Sequence, residues 1–184
     1  QGDALCSAGS FATLRHYVVS HLLWNPADDE KRLMGEFLEG YYGKSAAPFL
    51  KKFIDVVDNA PRKTKRIVKC GHEGASFMTA DDKLEAARLM DEAVAAAERD
   101  GELFASRGRR ERLSVDHYMI LNYDILKGHA AKKGYAWTRP ATRAEALEKW
   151  IADVKALGVK ARRETVSADE MDKYFKRLRQ GKNK

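Results

Sequence analysis

The sequence predicts an all-α fold of about seven helices, with at most one small β-hairpin near residues 64–78. Three observations carry this. Apolar residues recur at helical spacing almost throughout the 184 residues. Residues able to cap a helix stand at the expected starts, namely Asn25, Thr79, Thr142 and Ser167. Residues 64–78, with "RIVKC" and the glycines of "GHEG", are the least helical part.

In chain order, Phe11, Leu14, Val18 and Leu22 form a first stripe, joined by Tyr17 and His21. The spacing then predicts a tight restart at Asn25-Pro26, because Asn favours the N-cap and the missing Pro N–H has no partner in a first turn anyway. Asp28, Asp29 and Glu30 follow, where carboxylates suit the positive end of the helix dipole. Leu33, Met34, Phe37, Leu38 and Tyr41 give the second stripe, and Gly43 suits a C-terminal cap with positive φ. Trp24, Phe37, Tyr41 and Tyr42 are expected to pack at the helix–helix junction. A third helix is predicted from near Ser45, with Pro48 in its first turn, the face Phe49, Phe53, Val56, Val57 and Ala60, and an end at Pro61 and "RKTKR".

Thr79 with Asp82 predicts the next start, followed by Leu84, Ala87, Met90, Val94 and Ala97. Asp100-Gly101 marks a break or bend. Residues 109–128 are apolar around most of their circumference, which predicts one central, buried helix. "KKGYAWTRP" is a loop. Thr142 with Glu145 and Ser167 with Glu170 fit capping boxes for two last helices, the second carrying Met171, Tyr174, Phe175 and Leu178. The organisation expected is one helical domain over 1–184: a three-helix segment 1–62, an irregular connector 63–78, a helical pair 79–130 around the central helix, and two C-terminal helices 141–180. The tail "QGKNK" is expected to be disordered.

Charge is +7 overall and uneven. Residues 1–60 carry 6 basic and 8 acidic side chains, whereas residues 111–184 carry 17 and 10. The longest nearly apolar run, "YVVSHLLW", is far short of the roughly 20 residues of a membrane helix, so no membrane partner is expected. Two cysteines, Cys6 and Cys70, do not make a disulfide framework and leave the redox compartment open. Residues 1–10 lack a signal-peptide pattern, and the chain begins without Met, which reads as a fragment or processed product.

The residues give no nucleophile motif, phosphate loop or dinucleotide fingerprint, so no catalytic residue and no cofactor is expected. Asp116 and Asp124 are the most interesting acids. Eight helical residues separate them by about 12 Å, too far for a direct acid–base pair. Bonding to neighbouring backbone or basic groups is the plainer expectation. Cys70 and His72 are two ligand types in a glycine loop, short of a closed metal site, so no metal is expected. His16, His21, His117 and His129 read as hydrogen-bonded core or boundary residues. Tyr135 and Trp137, interleaved with Lys132, Lys133 and Arg139, are the one candidate ligand contact, toward a glycan face or nucleic-acid bases, against the plainer reading that the Trp tucks into the core.

"FATLRHYVVSHLLWNPADDEKRLMGEFLEGYYGKSAAPF" resembles a segment of large bacterial proteins with a glycoside-hydrolase-like catalytic barrel. They form a family of unknown function, often preceded by a hexosaminidase-type or α-glucuronidase-type accessory domain. "MTADDKLEAARLMDEAVAAA" and "RRERLSVDHYMIL" are similar to later helices of that family, so the resemblance runs in order over residues 1–180. "RKTKRIVKCGHEGASF" matches no pattern of it. The resemblance implies a non-catalytic C-terminal helical domain that buttresses a barrel lying upstream, in a parent that is secreted or periplasmic. Its expected partners are that barrel and carbohydrate, or a second copy through an uncovered apolar face. The rival is a helical nucleic-acid- or glycan-binding module using the basic C-terminal half with Tyr135 and Trp137.

Overall fold

The computed structural model describes residues 10–67, 74–159 and 168–181, and among these the chain is all-α, with eight helices and no strand. They are α1 (Ala12–Trp24), α2 (Glu30–Tyr42), α3 (Ala47–Thr64), α4 (Ala80–Asp100), α5 (Glu102–Leu121), α6 (Tyr123–Lys133), α7 (Arg143–Ala156) and α8 (Ala168–Arg179). Cys6, Cys70, His72, residues 68–73 of the expected hairpin, the Ser167 cap and the end of the tail lie outside the described residues, and residues 64–67 and 74–78 hold no strand. Arg66 and Ile67, which open "RIVKC", are not in a strand. Among the described residues no helix is long and apolar enough to cross a membrane.

The eighth helix comes from a break in the expected central one. The helix starts at Glu102 rather than near 109 and stops at Leu121, and Asn122 (φ −115°, ψ 21°) separates it from α6. The Asn122 amide donates to Tyr118 O at 2.8 Å and to Gly74 O at 3.0 Å, while its Oδ1 accepts from Lys83 Nζ at 3.3 Å. An Asn side chain competes with the helix ladder for backbone groups, and here it does so in favour of a distant loop. The ring of apolar residues over 109–128 therefore belongs to two helices with different inward faces, and Ile125 turns out to solvent.

Two other boundaries differ from expectation. The α2 cap is Asp29, whose carboxylate accepts from Lys31 N and Arg32 N; Asn25 instead closes a turn by accepting from Ala27 N. An Asp placed before the first turn gains both the cap and the dipole interaction. Pro61 does not end α3. The helix runs one turn on to Thr64, because a Pro near the C-terminus removes only one ladder bond and Thr64 Oγ1 reties the end to Ala60 O and Phe77 O.

The local stop and start signals hold elsewhere. Thr79 with Asp82 and Thr142 with Glu145 form reciprocal capping boxes. Gly43 caps α2 at φ 97°, and Gly101 at φ 124° serves both the end of α4 and the start of α5.

Two apolar cores result. The larger packs α1 to α4 against one side of α5, around Tyr42, Leu50, Met90 and Val115. The smaller packs α7 and α8 against the other side of α5, around Trp150, Phe175 and Leu178. Trp137 touches both.

Candidate functional site

Among the described residues no group of three or more His, Cys, Asp or Glu converges to hold a metal ion. The polar residues that do converge lie around the loop between α6 and α7, residues 134–142. Its start follows from local chemistry: Gly134 ends α6 at φ 71°, and Tyr135 N–H bonds back to Ala130 O at 2.9 Å. Its end is the Thr142 cap.

On one side of this loop lies a groove of about 610 Å³ that Tyr135, Trp137 and Thr138 line together with Asp81, Asp82 and Glu85 of α4. Tyr135 is 48% exposed. Trp137 is half-buried, edge-on to Tyr123 at 5.2 Å, and its indole N–H donates to Pro140 O at 3.3 Å. The acids here are already paired. Asp81 lies 2.8 Å from His129 Nε2, Asp82 2.8 Å from Lys63 Nζ, and Glu85 2.6 Å from Arg88. His129 beside Asp81 holds that carboxyl below its ordinary value.

On the other side lies a cavity of about 320 Å³ between α4, α5, α6, the loop and α7. Arg139 dominates it. Its side chain is 10% exposed and lies between two carboxylates, with Nη1 2.6 Å from Asp91 and Nε 3.0 Å from Asp116. Arg112 reaches the second oxygen of Asp116 at 3.4 Å. Burial pushes the Asp116 carboxyl above its ordinary value even with Arg139 and Arg112 beside it. Burial works to lower Arg139, but Asp116 and Asp91 outweigh it and the net shift is upward. The Arg139 Nε and Nη2 atoms are buried without a geometrically sound hydrogen bond among the described residues.

Asp124, by contrast, is exposed in the first turn of α6, so the two acids singled out in sequence do not share a site. His16, His117 and His129 take boundary positions, whereas His21 is exposed. His117 stacks on Trp150 with ring centroids 5.0 Å apart and lies 2.5 Å from the Tyr174 hydroxyl. His16 Nε2 is buried without a hydrogen bond among the described residues. Asp91, Arg112, Lys149 and Asp153 were not legible as site residues. Each has ordinary helical spacing, and only the tertiary fold brings them to the cavity.

A second feature is a surface rather than a pocket. Trp24, expected to pack at the α1–α2 junction, is 92% exposed, and Leu23 is 76% exposed. Val19, one turn before Leu23, is exposed as well. Phe37, Tyr41 and Tyr42 do form the junction: they contact one another at centroid distances from 4.8 to 6.1 Å, Tyr42 meets Phe11 at 5.8 Å and Phe37 meets Tyr17 at 5.1 Å. Trp24 stands in the last turn of α1, beyond Leu14, Tyr17 and Val18, which join the core where α1 meets α2.

Compared with known families, residues 1–55 match the one described as "Domain of unknown function (DUF4838)", under a third of the chain. No curated protein and no solved structure matches the chain.

Proposed function

We propose that this chain is a non-catalytic helical domain of a carbohydrate-active, glycoside-hydrolase-like protein, and that it buttresses the catalytic barrel through the outer face of α1. The observation that carries the proposal is the two-sided apolar character of α1. Leu14, Tyr17 and Val18 face the core, Val19 and Leu23 face solvent on the opposite side, and Trp24 is exposed in the last turn on the Tyr17 side. A helix apolar on both sides belongs between two packed layers, and an exposed apolar patch of this kind marks an interaction surface. The family match over residues 1–55 contains this helix and so supports the reading. The sequence resemblance, in which the same helix follows the last barrel strand, supplies the occupant.

The nucleic-acid reading has less behind it. Arg139, Lys149 and Arg179 of the basic half are engaged with Asp91, Asp153 and Glu148. The groove beside Tyr135 and Trp137 is walled by Asp81, Asp82 and Glu85 with Arg88, the acids paired with His129, Lys63 and Arg88, so it presents no excess of positive charge to a phosphate backbone.

The test is the size and activity of the natural polypeptide. An antibody against this chain should detect a band far above 20.8 kDa in the source cell. That polypeptide should hydrolyse an aryl-glycoside, and residues 1–184 alone should not exceed the blank. A native band at 20.8 kDa, or hydrolysis by the isolated chain, would overturn the proposal.

A further inference from the structure

The cavity around Arg139 is independent of the α1 face, since no residue of α1 lines it. Its volume of about 320 Å³ is at the small end of ligand sites, which run from about 300 to 1,000 Å³, and suits one ring rather than a chain of them. Part of its lining is apolar, with Met119, Ile120, Tyr123 and Trp150. The charged part balances, with Arg112, Arg139 and Lys149 against Asp91, Asp116 and Asp153.

That balance decides the ligand class. An added anion would meet cations already paired with carboxylates, and an added cation would meet carboxylates already paired. A neutral hydroxyl suffers neither penalty. It accepts from a guanidinium N–H and donates its own hydrogen to a carboxylate. Arg139 has donors to give once its side chain shifts toward the cavity, because its Nε and Nη2 atoms are enclosed and lack sound hydrogen bonds among the described residues. Each carboxylate offers about four acceptor positions, and Asp116 uses two of them in the contacts described, so acceptors remain. Buried polar groups left incomplete carry a large desolvation cost, which a ligand that completes them removes.

We propose that this cavity binds a neutral polyhydroxylated ring of monosaccharide size, with hydroxyls bridging Arg139 to Asp116 and Asp91 and the C–H face against Trp150 and Tyr123. The site adds a small-molecule function to a domain assigned no catalysis.

The test is an NMR titration of the 184-residue chain with methyl β-glucopyranoside and with myo-inositol. Saturable shifts of the Arg139 Nε–H and Trp150 indole resonances at millimolar probe are expected, unchanged by added salt because the ligand is uncharged. Nuclear Overhauser contacts from probe C–H protons should reach Trp150 and Met119. Ala146→Leu, which fills the cavity without touching the ion pairs, should weaken binding about tenfold or more. The absence of shifts with both probes would overturn the site, as would contacts to Tyr135 instead. Binding confined to glucuronate or inorganic phosphate, weakening with salt, would overturn the neutral-ligand assignment. The contact measurement needs no variant, so it stands even where Ala146→Leu fails to fold.

Discussion

The carboxylate of Glu111 on α5 accepts the Tyr42 hydroxyl of α2 at 2.8 Å, and its other oxygen accepts the Phe11 backbone N–H at the head of α1 at 2.7 Å. One side chain thereby ties three helices together. Burial pushes the Glu111 carboxyl above its ordinary 4.5 despite these two donors. In the window from 4.5 up to the raised folded value, the native state holds the proton more tightly than the unfolded chain. Stability therefore falls as pH rises through that window. Glu111→Gln should keep both contacts, with Tyr42 turning to accept, and should reduce that slope; Asp116, raised in the same direction, retains part of it. Glu111→Ala leaves a buried N–H and hydroxyl unpaired and should cost about 1–3 kcal/mol. Urea melts across the acid range check both.

Lys83, 7% exposed, is the most buried charged side chain among the described residues. Burial lowers its ammonium below the ordinary value, with Arg66 adding to the effect. Between the folded value and 10.5 the unfolded chain binds more protons, so stability should rise with pH through that window. Lys83→Met should remove this rise and leave the neutral-pH Tm unchanged or higher. A loss above about 2 kcal/mol would mean that the bond to Asn122 outweighs the buried charge.

Gly43 has no room for a side chain. At φ 97° an added Cβ would lie 2.4 Å from Asp100 Oδ2, the oxygen that accepts Ser45 N–H at 2.7 Å. Gly43→Ala should cost about 2–4 kcal/mol from the strained backbone and the displaced carboxylate. Gly40→Ala, in the helix with open space around it, should instead stabilise by about 0.5–1 kcal/mol. Paired denaturation curves give the comparison directly.

The capping boxes offer a local test. Thr79→Ala removes an acceptor for Asp82 N–H at 3.1 Å and loosens the Asp82 carboxylate that also holds Lys63 at 2.8 Å. The expected loss is about 1 kcal/mol. Amide exchange should quicken in the first turn of α4 and leave α7 unaffected.

What could be read in sequence was what local chemistry decides. The helical class followed from periodicity, and the Thr79 and Thr142 caps and the Gly43 stop each depend on residues within one turn. The break at Asn122 was hidden because its partners, Gly74 and Lys83, are 48 and 39 residues away. The Arg139 cavity was hidden for the same reason, since Asp91 lies 48 residues from the arginine it pairs. Trp24 was misplaced because it shares the Tyr17 side of α1 but stands in its last turn, and spacing alone does not say whether a neighbouring element reaches that far.

The docking claim rests on the exposed Val19, Leu23 and Trp24 of α1, and photo-cross-linking tests it most directly. A benzophenone amino acid would replace Trp24 in the intact natural polypeptide, with the cross-linked peptides identified by mass spectrometry. The account predicts that they come from a catalytic domain of the same polypeptide, and that Leu23→Asp suppresses them. Cross-links to position 24 of an identical copy, or none while residue 24 stays open to solvent-borne reagents, would contradict it.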